Sequence, residues 1–202
     1  MKTLRRYLKN LFESAKQIVK DNIHKYKFTS VNLYFQDESR FGLMTIQRRV
    51  LTIKGVKPIQ PFQHKFKNTY LYGAYSPLTG DHYTLELPEC NTDWFQLFLN
   101  EFSKDKPNEL KIIVLDNGAF HKAKRLKIPP DIKLVFLPAY TPELNPAEKI
   151  WRHIKDKIAT KIYKTLTCLS DELCHIIKNL TPQTIKSITG YKFYLDTMNA
   201  VL

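Results

Sequence analysis

The sequence predicts an α/β fold, a mixed sheet with helices on both faces. Three observations carry this. Apolar and polar residues alternate early in the chain, as in strands. Two short, almost wholly apolar runs follow, as in strands covered on both sides. Between and after them, apolar residues recur at helical spacing. Antiparallel strands followed by alternating strand and helix indicate a sheet layered between helices.

Residues 1 to about 28 read as one helix, with Leu4, Leu8, Leu11, Phe12, Ala15, Ile18, Val19 and Ile23 on one stripe. This segment holds eight Lys/Arg and two Asp/Glu, so it carries +6 of the net charge of +13. Residues 1–30 are accordingly a basic amphipathic linker, which packs its stripe on the following domain or contacts a partner. From residue 31 the period changes. Val31, Leu33 and Phe35 alternate with polar or amphipathic residues in a strand that ends at Asp37. A second strand is expected at Arg49–Ile53, before a turn at Gly55, and a third at Thr69–Tyr75. The turn Ser76-Pro-Leu-Thr-Gly80 leads into a hairpin partner at Asp81–Glu86. Asn91-Thr-Asp93 offers a cap for a helix bearing Trp94, Phe95, Leu97, Phe98 and Phe102.

Lys111–Leu115 is a buried central strand that ends at Asp116, and a short basic helix follows at Gly118–Leu126. Lys133–Leu137 is another buried strand, stopped by Pro138. A long helix starts after Pro146, its stripe formed by Ile150, Trp151, Ile154, Ile158 and Ile162, and a weaker helix spans about Cys168 to Leu180. This order matches the RNase H-like fold.

The chain has 202 residues, with 32 Lys+Arg against 19 Asp+Glu. That excess points to a polyanionic partner, nucleic acid before an anionic membrane; a solvated basic surface explains it equally in local terms. Cys90, Cys168 and Cys174 form no CxxC pair and no zinc spacing, so buried free thiols in a reducing compartment are expected. The first residues are charged rather than a continuous apolar run, and no stretch approaches the roughly 20 apolar residues of a membrane span. A soluble, cytoplasmic protein with no membrane partner is expected.

Asp37 ends the first strand, Asp116 ends the central strand, and Glu148 lies in the first turn of the long helix. If the two strands are neighbours, their ends bring the aspartates together. Three converging carboxylates repel one another unless a cation sits among them. Hard oxygen ligands suit Mg²⁺ or Mn²⁺, and two such ions about 4 Å apart would serve phosphoryl transfer. Each residue also has a structural reading. Aspartate at a strand end is ordinary turn chemistry. Glu148 fits a capping box, with Asn145 as N-cap and Pro146 as the first helical residue. Only the combination separates the two.

Three blocks carry a resemblance: Phe35-Gln-Asp-Glu-Ser-Arg-Phe41, Val114-Leu-Asp-Asn-Gly-Ala-Phe-His121 and Leu137-Pro-Ala-Tyr-Thr-Pro-Glu-Leu-Asn-Pro-Ala-Glu-Lys-Ile-Trp151. They resemble the signature blocks of DDE transposases, closest to the mariner superfamily in its bacterial insertion-sequence branch, over residues 31 to about 165. The third block is the most specific. The resemblance implies an RNase H-like DDE catalytic domain over 31–202, with Asp37, Asp116 and Glu148 as the catalytic and metal-binding triad for two Mg²⁺ or Mn²⁺ ions. It implies hydrolytic nicking of DNA at element ends, attack of the freed 3′-hydroxyl on target DNA, a homodimer, and a nucleoid-associated location in a bacterium.

Asn117 and His121 match the second block, and His121 either orients a phosphate or water or lies on a helix surface. Lys122, Lys124, Arg125 and Lys127 follow Asp116 closely and could grip a DNA backbone; Arg152 and Lys155, with Lys157, Lys161 and Lys164, could extend that surface. Trp151 reads as core packing that fixes the helix, Asn145 as a cap before a substrate contact, and Tyr140 as structural before a ring that stacks on a base. Family members carry helix-turn-helix modules ahead of the catalytic domain, whereas about 30 residues precede the first strand here. A separate helix-turn-helix polypeptide is therefore a candidate partner. The competing reading is a non-catalytic DNA-binding or dimerising fragment that regulates a full-length transposase; a third is a nuclease acting on RNA–DNA hybrids.

Overall fold

All seven residues of the strand Glu109–Leu115 are buried. Such a strand needs a neighbour on each edge and a layer on each face, and it has all four. In the computed structural model, which describes residues 13–14, 16–22, 28–138, 141, 144–191 and 195, this strand is β4 of a five-stranded sheet. The others are β1 (Ser30–Gly42), β2 (Asn68–Tyr75), β3 (His82–Leu87) and β5 (Ile132–Phe136), in the order β3-β2-β1-β4-β5. β1, β2 and β3 pair antiparallel, and β4 lies parallel to both β1 and β5. The α/β fold class with a mixed sheet, as expected, is what forms.

Residue parity sorts the two cores, because successive strand side chains point to opposite faces. Leu33 and Phe35 of β1 join Ile112 and Val114 of β4 on one face. That face is covered by α3 (Ala147–Ile158), α4 (Leu166–Lys178) and α5 (Pro182–Thr189) through Ile150, Trp151, Ile154, Leu169, Leu173 and Ile185. Tyr34 of β1 and Ile113 and Leu115 of β4 face the other way, onto Phe95, Phe98, Leu99 and Phe102 of α2 (Thr92–Lys104). Asn91 caps α2 as expected, its side chain accepting from Asp93 and Trp94 amides. Lys111, at the start of β4, is fully buried and paired with Asp131 at 3.1 Å, and Ser103 donates to the same carboxylate at 2.6 Å.

Several expectations are corrected. No strand forms at Arg49–Ile53: residues 43–67 are an irregular connection whose base is tied by Leu43 N–H to Lys67 O and Thr45 N–H to Gln63 O. The turn at Gly55 is present, with φ +89°, but the flanking residues find no ladder partner. The helix after Pro146 ends at Ile158, where Thr160 adopts φ +64°, so Ile162 lies outside it, half exposed. The basic stretch after Asp116 makes only a 3₁₀ turn over Ala119–Lys122. The three cysteines are exposed rather than buried. α5 was not anticipated, although Thr181 before Pro182 is an N-cap signal and its hydroxyl accepts from Thr184 N–H. Of the amphipathic N-terminal segment, residues 16–22 are helical (α1), and Ile18 and Val19 pack against the main core; its remaining stripe residues and Tyr140 lie outside the described residues. Among the described residues, no helix is long and apolar enough to cross a membrane.

Candidate active site

The parity that sorts the cores also separates the two carboxylates of the first block. Asp37, odd-numbered like Leu33 and Phe35, belongs to the α3 face. Its Oδ2 accepts a hydrogen bond from the indole N–H of Trp151 at 2.9 Å. Glu38 belongs to the α2 face, where its Oε1 lies 3.1 Å from His121 Nε2 and accepts from Gln36 Nε2 at 2.7 Å. β1 does not end at Asp37 as expected, because pairing with β2 carries it on to Gly42; its ladder with β4 ends at Phe35↔Val114, so Asp37 and Asp116 each lie two residues beyond that ladder on adjoining strands.

Glu148 comes beside Asp37 because Asn145 sets the start of α3. Buried Asn145 donates from Nδ2 to Gln36 O at 2.8 Å and accepts from Ala147 N–H at 3.1 Å, so one side chain ties the helix start to β1 beside Asp37. The helix begins at Ala147 with Pro146 in the N-cap position, one residue later than expected, and the Asn145 side chain caps from just outside by accepting from Ala147 N–H. The return bond of a capping box is absent. Among the described residues, the exposed Glu148 carboxylate has no hydrogen-bond partner. It lines instead a cleft of about 770 Å³ together with Asp37, Glu38, Trp151, Arg152 and Lys155.

Burial pushes the Asp37 carboxyl up to about 7; the charges of Glu38 and Glu148 add to that rise, while the Glu38 amide and the Trp151 indole oppose it. Asp116 behaves oppositely. It is exposed and held below the usual carboxylate range by the bond from His121 Nδ1 at 2.8 Å, against some burial and with help from Gly118 N–H, also at 2.8 Å. Burial disfavours charge on His121, but its bonds to Asp116 and Glu38 outweigh this and raise it to about 9. His121 is thus held between two carboxylates, only 3% exposed, rather than on a helix surface.

Asp37 and Glu148 therefore share one cleft, whereas Asp116 is turned onto His121. Among the described residues, no three His, Cys, Asp or Glu side chains come together closely enough to hold a metal ion. The other nominated residues divide. Asn117 donates to Leu137 O, a loop-fixing role. Arg125 pairs with Asp93 at 3.0 Å, and the Lys122 ammonium lies 5.0 Å from the Phe136 ring centre. Lys124 and Lys127 are exposed. Arg152 and Lys155 line the cleft itself. Sequence reasoning passed over Glu38, although a second carboxylate directly after Asp37 was the available signal. It also passed over Arg48 and Arg49, which line the same cleft from the irregular connection.

Residues 32–170 match the DDE superfamily endonuclease family. The chain belongs to that family. An uncharacterized protein of Sinorhizobium fredii (strain NBRC 101917 / NGR234), y4pE/y4sA, is 32% identical over 119 residues, 58% of this chain and 88% of that protein. Among solved structures, the Mos1 transposase paired-end complex with left transposon end matches with a TM-score of 0.65 at 15% identity, over 100% of this chain and 62% of that one. The Mos1 mariner paired end complex with Mn matches at 0.64 and 17%, over 96% and 60%. At these identities the likeness is one of fold, which is the RNase H-like fold expected from the element order. The family member described here spans about three fifths of those Mos1 chains.

Proposed function

We propose that this chain is the catalytic domain of a DDE transposase that cuts DNA at the ends of a mobile element and joins the freed end to target DNA. The observation that carries the reading is the pairing of Asp37 with Glu148 in one open cleft, with Asp116 equally far beyond the β1–β4 ladder, within a chain of the DDE endonuclease family. In the reaction, water attacks a backbone phosphorus, the P–O3′ bond breaks, and a 3′-hydroxyl and a 5′-phosphate remain. The 3′-oxygen then attacks a target phosphorus and displaces a second 3′-oxygen, so the number of phosphodiester bonds is conserved in that step.

The donor set fits Mg²⁺ or Mn²⁺. It is all carboxylate oxygen; Glu148 has no partner among the described residues, and Asp37 is an acid that burial and neighbouring charge make unfavourable as a lone anion. A solved structure of the same fold is a Mos1 mariner paired end complex with Mn. Asp37, Asp116 and Glu148 would hold two ions. Once bound, such ions would supply Lewis-acid stabilisation of the negative charge on the phosphate and on the entering and leaving oxygens. The protein's own part is positional: Trp151 orients Asp37, Asn145 sets the start of the helix bearing Glu148, and Arg152 and Lys155 present positive charge to the phosphate. DNA is the partner, and a homodimer with a helix-turn-helix polypeptide is the assembly this reading implies.

A second reading has its own observation. Asp116 is bonded to His121 and not gathered with the other two carboxylates, as would suit a non-catalytic regulatory fragment. Nicking of supercoiled DNA in Mn²⁺ decides between them. The transposase reading expects nicking that needs metal and falls by at least 10³-fold, about 4 kcal/mol in barrier, in Asp37→Asn, Asp116→Asn and Glu148→Gln. Nicking unchanged in Asp116→Asn, or none in the parent chain supplied with element-end DNA, would leave the regulatory fragment.

A further inference from the structure

A cavity of about 320 Å³ adjoins the carboxylate cleft, and Ile46 and Lys155 line both. Its charged lining consists of Arg40, Lys65, Lys67 and Lys155, with no acidic side chain among them. The chain brings these residues together by design of the backbone rather than by sequence proximity. Arg40 is an exposed residue of β1. The connection after β1 returns through Lys65-Phe66-Lys67, and Leu43 N–H bonds Lys67 O at 3.0 Å, pinning the return beside β1. Lys155 comes up from α3, its ammonium 5.4 Å from the Phe41 ring centre.

Four cations around one hollow repel one another, a cost that a bound polyanion removes. Among the described residues, Arg40, Lys67 and Lys155 form no ion pair, and Lys65 meets only the carbonyl of Lys164, at 3.4 Å. By contrast, Arg125 and Lys122, on the stretch after Asp116, already have Asp93 and Phe136 as neighbours. Phe66 stands 74% exposed on the rim, an aromatic face beside the cations of the kind on which bases stack.

We propose that Arg40, Lys65, Lys67 and Lys155 form a track for successive backbone phosphates of the DNA strand leading out of the carboxylate cleft. This rests on the transposase reading for the identity of the polyanion. The track is a phosphate-positioning surface, so it contributes affinity and register without sequence preference. It places the DNA on the β1–β2 side of the cleft, away from the Lys122–Lys127 stretch.

The test is fluorescence anisotropy with a labelled duplex in EDTA over a series of salt concentrations, using the full chain. The double variant Arg40→Ala/Lys67→Ala is compared with Lys178→Ala/Lys186→Ala, which removes the same charge from exposed positions on α4 and α5. Thermal melting confirms that each is folded. The track expects the slope of log Kd against log salt to fall by about 0.9 per lost phosphate contact in the first variant, and to stay near the parent value in the second. Equal slopes in the two variants, changed or unchanged, overturn it. So does a loss confined to binding of phosphatidylserine vesicles. A parent chain that nicks DNA in Mn²⁺ while the slope fails to move sinks the track alone. A parent chain that binds with the expected slopes but never nicks sinks the transposase reading and leaves the track.

Discussion

At the residue scale, the site depends on which oxygen each carboxylate has left over. Asp37 gives Oδ2 to Trp151, and Asp116 gives Oδ1 to both Gly118 and His121. Glu38 completes this arrangement from the opposite face of β1, because it engages the other ring nitrogen of His121. Partners one bond removed from metal ligands are worth about 10- to 100-fold in metal affinity. On the transposase reading, Glu38→Gln is therefore expected to raise the Mn²⁺ concentration for half-maximal nicking by about that factor, with kcat at saturating metal changed little. A fall in kcat with no shift in the metal requirement would place Glu38 in contact with DNA instead. Trp151→Phe retains the aromatic packing against Phe41 and Tyr75 but deletes the indole N–H. A loss of about 1 kcal/mol in denaturant stability is expected, against about 3–5 kcal/mol for Trp151→Ala.

At the element scale, close packing between β2 and α3 sets the wall of the cleft. A Cβ added at Gly73 would stand 2.6 Å from the Tyr75 ring and 2.7 Å from the Trp151 ring. Gly73→Ala is expected to cost about 1–3 kcal/mol by overpacking and to disturb Asp37, its register partner on β1; an unaltered unfolding midpoint would show that Trp151 has room to move. At the other end of the sheet, Asp131→Ala leaves the fully buried Lys111 ammonium without its carboxylate. About 3–5 kcal/mol of destabilisation follows, and Lys111→Met/Asp131→Leu should recover most of it. If the double variant is as unstable as the single, the pair itself rather than the stranded charge holds β4 to the β5 side.

At the scale of the whole molecule, apolar burial is unevenly spread along the chain. The two cores flank the sheet, while Leu51, Ile53 and Ile59 on the irregular connection are almost wholly exposed. Apolar residues in such numbers outside a core mark a surface rather than a support. Replacing these three with Ser should change unfolding free energy by no more than about 0.5 kcal/mol per residue, measured by urea titration. A large loss would mean that the connection packs on the domain in solution.

Much of this protein was determined by its sequence alone. The buried runs at β4 and β5, the helical stripe of α3 and the Asn91 cap follow from periodicity and local chemistry, and these signals need no knowledge of the rest of the chain. The three signature blocks likewise singled out Asp37, Asp116 and Glu148 before their surroundings were visible. Tertiary structure decided what local pattern cannot express. Arg49–Ile53 has strand-like composition but gained no ladder partner, and a strand exists only when another backbone supplies its hydrogen bonds. From local pattern, His121 is either a residue that orients a phosphate or water or a histidine on a helix surface. It is buried because Asp116 and Glu38, five and 83 positions away, close on its two nitrogens. The alternation of side chains along β1, set against helices on both faces, then sends Asp37 to Trp151 and Glu38 to His121.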